Sequence, residues 1–108
     1  MTYSTLWGGG VPSQVSMVQS FPDITDASAQ LLAEDSTRKY LAIQNNNGAG
    51  INLRINFGAA ASLVSFMIQP GQTWVPNAVP INAINGMGEL AGVASAMAAN
   101  SISMTVGI

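Results

Sequence analysis

Five acidic and three basic residues are the only ionised side chains in this 108-residue chain, which has neither His nor Cys. That inventory restricts the chemistry before any fold is considered. Disulfides, thiolate nucleophiles, zinc sites and His-based triads are excluded together. A glycosidase needs two carboxylates flanking a bond, and the available neighbours are Asp23 with Asp26 and Glu34 with Asp35. Asp23 and Asp26 lie beside Pro22, where turn and capping roles are commoner; a calcium site built from them and backbone oxygens is the weaker reading. Glu34 and Asp35 are adjacent, so in a strand they would point to opposite faces, and Glu89 stands alone. Serines and threonines are plentiful, but no His or Lys is placed to activate one. Gly8-Gly9-Gly10 lacks the Lys and the helix that follow a phosphate-binding loop. Trp74 or Tyr40 could stack on a sugar, although a lone aromatic in a strand more often fills a core or an interface. These residues argue against an enzyme and against a metal or cofactor.

The elements that would carry those residues read as strands. In Arg38 to Gly58, Leu41, Ile43 and Asn45 alternate with Ala42 and Gln44, and Ile51, Leu53, Ile55 and Phe57 alternate with Asn52, Arg54 and Asn56. This period of two marks strands with one buried and one wet face. Asn46-Asn47-Gly48-Ala49-Gly50 between them tolerates positive φ, which predicts a hairpin. Glu34 and Asp35 would face Arg38 and Lys39 across the preceding turn as a surface ion pair. Further strands are expected at 28–32, 63–68, 73–75, 81–85 and 102–108. Pro70-Gly71 suits the centre of a type II turn. Residues 89–99 mix helical spacing with Gly92 and Ser95, and the all-β surroundings favour a strand. About seven or eight short strands separated by turns predict an all-β fold, a small antiparallel β-sandwich of jelly-roll type spanning residues 28–108. Residues 1–27 differ in character. Gly8-Gly9-Gly10, Pro12 and Pro22 interrupt them, and they read as an extended N-terminal arm, with Val15 to Val18 able to form a short strand. The apolar anchors of the arm are Tyr3, Leu6, Trp7, Val15 and Val18, packed on the chain's own domain or on a neighbour.

Composition points to contact with other chains. Charged residues make up 7% of the sequence, against about 25% in ordinary soluble domains. A lone monomer keeps itself soluble with mixed surface charge, so much of this surface is expected to lie against other subunits. Three basic residues and a net charge of −2 argue against nucleic-acid binding, which needs clustered Lys and Arg. No apolar run approaches the roughly 20 residues of a membrane-spanning helix, and the N-terminus lacks the pattern of a signal peptide. The expectation is a protein assembled in a cytoplasm, without a membrane partner.

Several runs are similar to those of small virion structural proteins of tailed bacteriophages. They are Ala29-Gln30-Leu31-Leu32-Ala33, Arg38-Lys39-Tyr40-Leu41-Ala42-Ile43-Gln44-Asn45-Asn46, Ile55-Asn56-Phe57-Gly58, Ile68-Gln69-Pro70-Gly71, Pro80-Ile81-Asn82-Ala83-Ile84, Val93-Ala94-Ser95 and Ser103-Met104-Thr105-Val106. The resemblance implies a β-sandwich that cements or decorates a capsid, or forms part of a fibre or tail. Its partners would be the major capsid protein and further copies of itself, on the capsid surface after assembly in the host cytoplasm. Candidate interface residues in the domain are Arg38, Lys39, Tyr40, Arg54 and Trp74. A fibre- or tail-associated module binding a surface glycan is the alternative, with Trp74, Tyr40 and the Asn45–Asn47 turn as its contact residues.

Overall fold

Leu41 and Ile43, Leu53 and Ile55, and Ile102 and Met104 are each two residues apart, so in extended chain each pair lies on one face. All six side chains are buried in a single core together with Ile24, Ile68 and Ile84. The computed structural model describes residues 16–108, which are all β with no helix. The strands are β1 (Met17–Ser20), β2 (Ala29–Leu32), β3 (Tyr40–Asn45), β4 (Asn52–Phe57), β5 (Phe66–Ile68), β6 (Thr73–Trp74), β7 (Ile84–Leu90), β8 (Val93–Ala94) and β9 (Ile102–Gly107).

Two antiparallel sheets pack on each other to form the predicted sandwich. One has the order β1-β9-β3-β6; the other has the order β2-β7-β4-β5, with β8 added beside β7. The pairs β1–β9, β2–β7, β3–β6 and β4–β5 are nested within one another along the chain. That wrapped order is the jelly roll, in which successive strands pass between two sheets. Pro70-Gly71 forms the expected turn, with Gly71 at φ 86° and the Gln72 amide donating to the Gln69 carbonyl at 3.0 Å.

The predicted hairpin across residues 46–50 is not formed. β3 and β4 belong to opposite sheets, and the segment between them arches over one end of the sandwich. Asn45 and Asn47 are the reason. The Asn45 amide group donates to the Ile51 and Ile68 carbonyls, both at 3.0 Å, and its oxygen accepts from the Asn47 amide at 2.9 Å. Asn47 in turn accepts from the Ala49 and Ile51 amides and donates to the Ser101 hydroxyl. Side chains thus satisfy the backbone groups that a hairpin would have paired across a ladder.

Other boundaries shift for similar reasons. Gly86 and Gly88, just past the strand expected at 81–85, lie inside β7. A Cβ at Gly86 would press on the Leu31 side chain, and one at Gly88 would run into the Ser95 carbonyl oxygen. The strand expected over 89–99 is split between the end of β7 at Glu89–Leu90 and the two residues of β8. Ala91 and Gly92 turn the chain at φ 52° and 82°, and then the Ser95 and Met97 amides leave the ladder for the Gly88 and Ile24 carbonyls. The strand expected from residue 63 starts at Phe66, because Ser62 and Ser65 close a turn on each other.

Residues 17–27 of the expected arm are part of the sandwich. β1 pairs with β9 over its whole length, Ile24 is buried in the core, and the Thr25 carbonyl accepts from the Gly88 amide at 3.0 Å. A pairing signal of this kind is long-range and leaves no trace in local composition. Tyr3, Leu6, Trp7 and Val15 lie outside the described residues.

Candidate interaction surfaces

Arg38 is the most deeply placed of the candidate interface residues, at 5% exposure. Its guanidinium donates to the Pro80 and Asn82 carbonyls at 2.7 and 3.1 Å and to the Ala33 carbonyl at 2.6 Å. It therefore ties the 33–38 turn to the loop that enters β7, and its Nε is buried without a partner. The expected ion pairing of Arg38 and Lys39 with Glu34 and Asp35 is absent. Asp35 instead accepts from the Thr37 hydroxyl and amide, and those bonds, aided by the nearby Arg38 charge, lower its pKa. Lys39 remains exposed, and its amide donates to the Gly107 carbonyl at 2.6 Å.

Tyr40 and Arg54 lie on opposite outer faces of the sandwich. Tyr40 alternates with the buried Leu41 and so faces out from the β3 sheet, while Arg54 alternates with Leu53 and Ile55 and faces out from the β4 sheet. Arg54 is held by Glu89 at 3.1 Å, the one ion pair among the described residues, and donates to the Ser65 carbonyl at 2.8 Å. Glu89 also accepts from the Gly92 amide at 2.7 Å and from Asn52 at 3.2 Å. Its pKa is lowered, first by the Gly92 amide and then by Asn52 and Arg54, against the opposing cost of burial. No pattern in the sequence links Arg54 to Glu89; the link appears when β4 and β7 pair with Arg54 opposite Met87 and Asn52 opposite Glu89.

Trp74 pairs with Ile43 and shares its inward face. The indole is half-buried, with the rings of Phe57 and Phe66 at 5.8 and 5.0 Å between centroids. This tilted trio closes the core where the edge strands β5 and β6 of the two sheets meet. Around it the surface is apolar: Phe66 is 47% and Val64 89% exposed, and Leu63 and Val75 are exposed as well. Val64 and Val75 fall within the strands expected at 63–68 and 73–75, and nothing in their spacing marks them as exposed. The five domain candidates do not gather into one patch.

Among the described residues, no strand joins β1 to β2 at the opposite edge of the sandwich. A cleft of about 450 Å³ there is lined by Val18, Leu31, Leu32, Val106 and Ile108, with Glu34, Asp35 and Arg38 toward one end. Val18 is exposed but lies on the inward side of β1, opposite Val106. A register shift between Gln30 and Leu32 makes Leu31 a bulge, so two consecutive leucines both pack against the core from an edge strand.

Asp23 and Asp26 are exposed, with the buried Ile24 between them. Among the described residues no three of His, Cys, Asp and Glu come together as metal ligands. What the arrangement offers is contact: two apolar rims on a sandwich whose outer faces carry mainly Asn, Gln, Ser and Thr. No model of a known protein family matches the chain, and no curated protein matches it.

Proposed function

We propose that this chain is a non-enzymatic structural subunit of a phage virion, a cement or decoration protein that bridges neighbouring subunits of the capsid. One observation carries the reading: a charge-poor surface with exposed apolar rims. Of the few charged side chains, Arg38, Arg54 and Glu89 are spent on internal contacts, while Val64, Phe66 and Val75, close in sequence to the Phe66–Trp74 contact, face solvent. Contiguous exposed apolar surface of this kind marks interaction sites in soluble proteins. The mechanism is burial. An interface of about 1,600 Å² with about 900 Å² of apolar area yields about 20 kcal/mol gross at about 25 cal/mol per Å². Ordering and rigid-body costs offset much of it. Repetition over a shell then sums modest contacts into mechanical resistance.

The glycan-binding alternative draws less support. Trp74 is engaged by Phe57 and Phe66, and Asn45 and Asn47 are buried in the arch. The test is co-sedimentation of the purified chain with shells assembled from the major capsid protein of the same phage. Saturable binding by the unaltered chain, weakened at least tenfold by Val64→Asp with Phe66→Ser, is the expected result. No binding, or equal binding by the variant, overturns the proposal.

A further inference from the structure

Two Asn-Gly pairs occur in the chain, Asn47-Gly48 and Asn85-Gly86. Glycine carries no Cβ to shield its own nitrogen or to restrict its backbone. In unfolded chain that nitrogen can therefore reach the amide carbon of the preceding asparagine side chain. The attack closes a cyclic imide and expels ammonia, and water then opens the ring at either carbonyl to leave aspartate or isoaspartate. The fold protects the two pairs by different means.

Asn85-Gly86 lies within β7, where Gly86 faces Ile55 of β4 on one side and Ala29 of β2 on the other. Ring closure there would bend a strand that two ladders hold extended, so the sheet must first come apart. Asn47-Gly48 lies in the arch between β3 and β4, where side chains take the place of a ladder. The Asn47 oxygen accepts from the Ala49 and Ile51 amides, both at 2.9 Å. Its Nδ2 donates to the Ser101 hydroxyl at 3.1 Å. For the Gly48 nitrogen to meet Cγ, the side-chain amide must turn out of all three bonds. Opening one arch takes less free energy than separating a sheet.

We infer that Asn47 is a deamidation site gated by the arch, inert while its three bonds hold and reactive once this end of the sandwich opens. A bond forms from the Gly48 nitrogen to Asn47 Cγ, the Cγ–Nδ2 bond breaks, and the departing ammonia carries off the Gly48 amide proton. Water supplies the oxygen of the product acid. Aspartate keeps an acceptor for the Ala49 and Ile51 amides but has no donor for Ser101. Isoaspartate lengthens the main chain by a carbon at this point and displaces the acceptor as well, so the modified chain cannot rebuild the same arch. This inference stands apart from the virion reading, because it concerns the chemical lifetime of the folded chain.

The experiment incubates the full chain at neutral pH in buffer and in guanidinium chloride, and reads conversion at residues 47 and 85 by peptide mass spectrometry with isoaspartate assignment. In denaturant both pairs should convert at comparable rates. In buffer both should convert about tenfold or more slowly, with residue 47 ahead of residue 85. Ser101→Ala, which removes the partner of Nδ2, should speed conversion at 47 about threefold or more and leave 85 unchanged. Equal rates at 47 in the folded and unfolded chain, or no response to Ser101→Ala, overturn the inference. Conversion at 85 ahead of 47, or equal acceleration of both pairs by Ser101→Ala, also overturns it, by assigning the gate to unfolding of the whole domain. A second measurement needs no substitution: the Ala49 and Ile51 amides, which Asn47 holds, should exchange with solvent faster than the Gly86 amide, and slower exchange refutes a local gate.

Discussion

Asn45 shows how much a neutral polar side chain can hold in place. It is fully buried and serves the Ile51 and Ile68 carbonyls and the Asn47 amide at once. Removing it leaves those backbone groups without partners in a dry site, where each loss costs about 1 kcal/mol or more. Asn45→Ala is expected to destabilise the domain by about 3 kcal/mol in urea unfolding. Arg38 and Lys39 offer an internal contrast. Arg38→Met strips the donor from three carbonyls and should cost about 3 kcal/mol, whereas Lys39→Ala, exposed, should stay within about 0.5 kcal/mol. Equal effects at the two positions would contradict the clamp role of Arg38.

Glu89 makes stability depend on pH. Its pKa in the folded chain lies below the ordinary glutamate value of 4.5, so the unfolded chain takes up the proton first as pH falls. The stabilisation from Glu89 is present above pH 4.5 and is lost as pH falls through the lowered native value. Asp35 adds a loss of the same sign in the acid range. Urea midpoints measured from neutral pH downward should fall in acid, and Glu89→Gln should flatten that fall; a variant as acid-sensitive as the parent would exclude Glu89 as a cause.

At the scale of elements, the β7–β8 hairpin is where local geometry is most demanding. Ala91 and Gly92 both take positive φ, as a two-residue turn matched to strand twist requires. Ala91→Gly is expected to stabilise by about 0.5 kcal/mol, since Ala resists that conformation and Gly does not. Gly88→Ala is the opposite case. Its Cβ would collide with the Ser95 backbone, so the crossing chain must move, at a cost of about 3 kcal/mol or failure to fold. Thermal unfolding of both variants checks the pair. The same crossing explains why a glycine stands inside a central strand at this position.

At the scale of the whole molecule, β1 decides where the domain begins. A chain starting at residue 28 loses the β1–β9 ladder, the Ile24 side chain and the Thr25 bond to Gly88. Loss of a buried Ile alone costs about 3 kcal/mol, a large share of the stability of a domain this size. The truncation at 28 should therefore give an unfolded or aggregating product, and a truncation at 16 should stay folded, as read by circular dichroism and cooperative melting. A well-folded product from residue 28 would show that β1 is dispensable.

Much of the fold was legible in the residues themselves. Alternation at Leu41–Ile43, Leu53–Ile55 and Ile102–Met104, with turn residues such as Pro70-Gly71, determines strands, buried faces and an all-β class, because side-chain parity in extended chain is a local property. The absence of His and Cys likewise removes disulfides and His-based triads without reference to any coordinates. Tertiary structure alone decided which strands meet: that residues 46–50 arch between sheets instead of folding back, that Arg38 faces carbonyls and Arg54 meets Glu89, and that β1 joins β9. Those outcomes depend on register and on contacts between residues far apart in the chain, and neither is encoded in the spacing of neighbours.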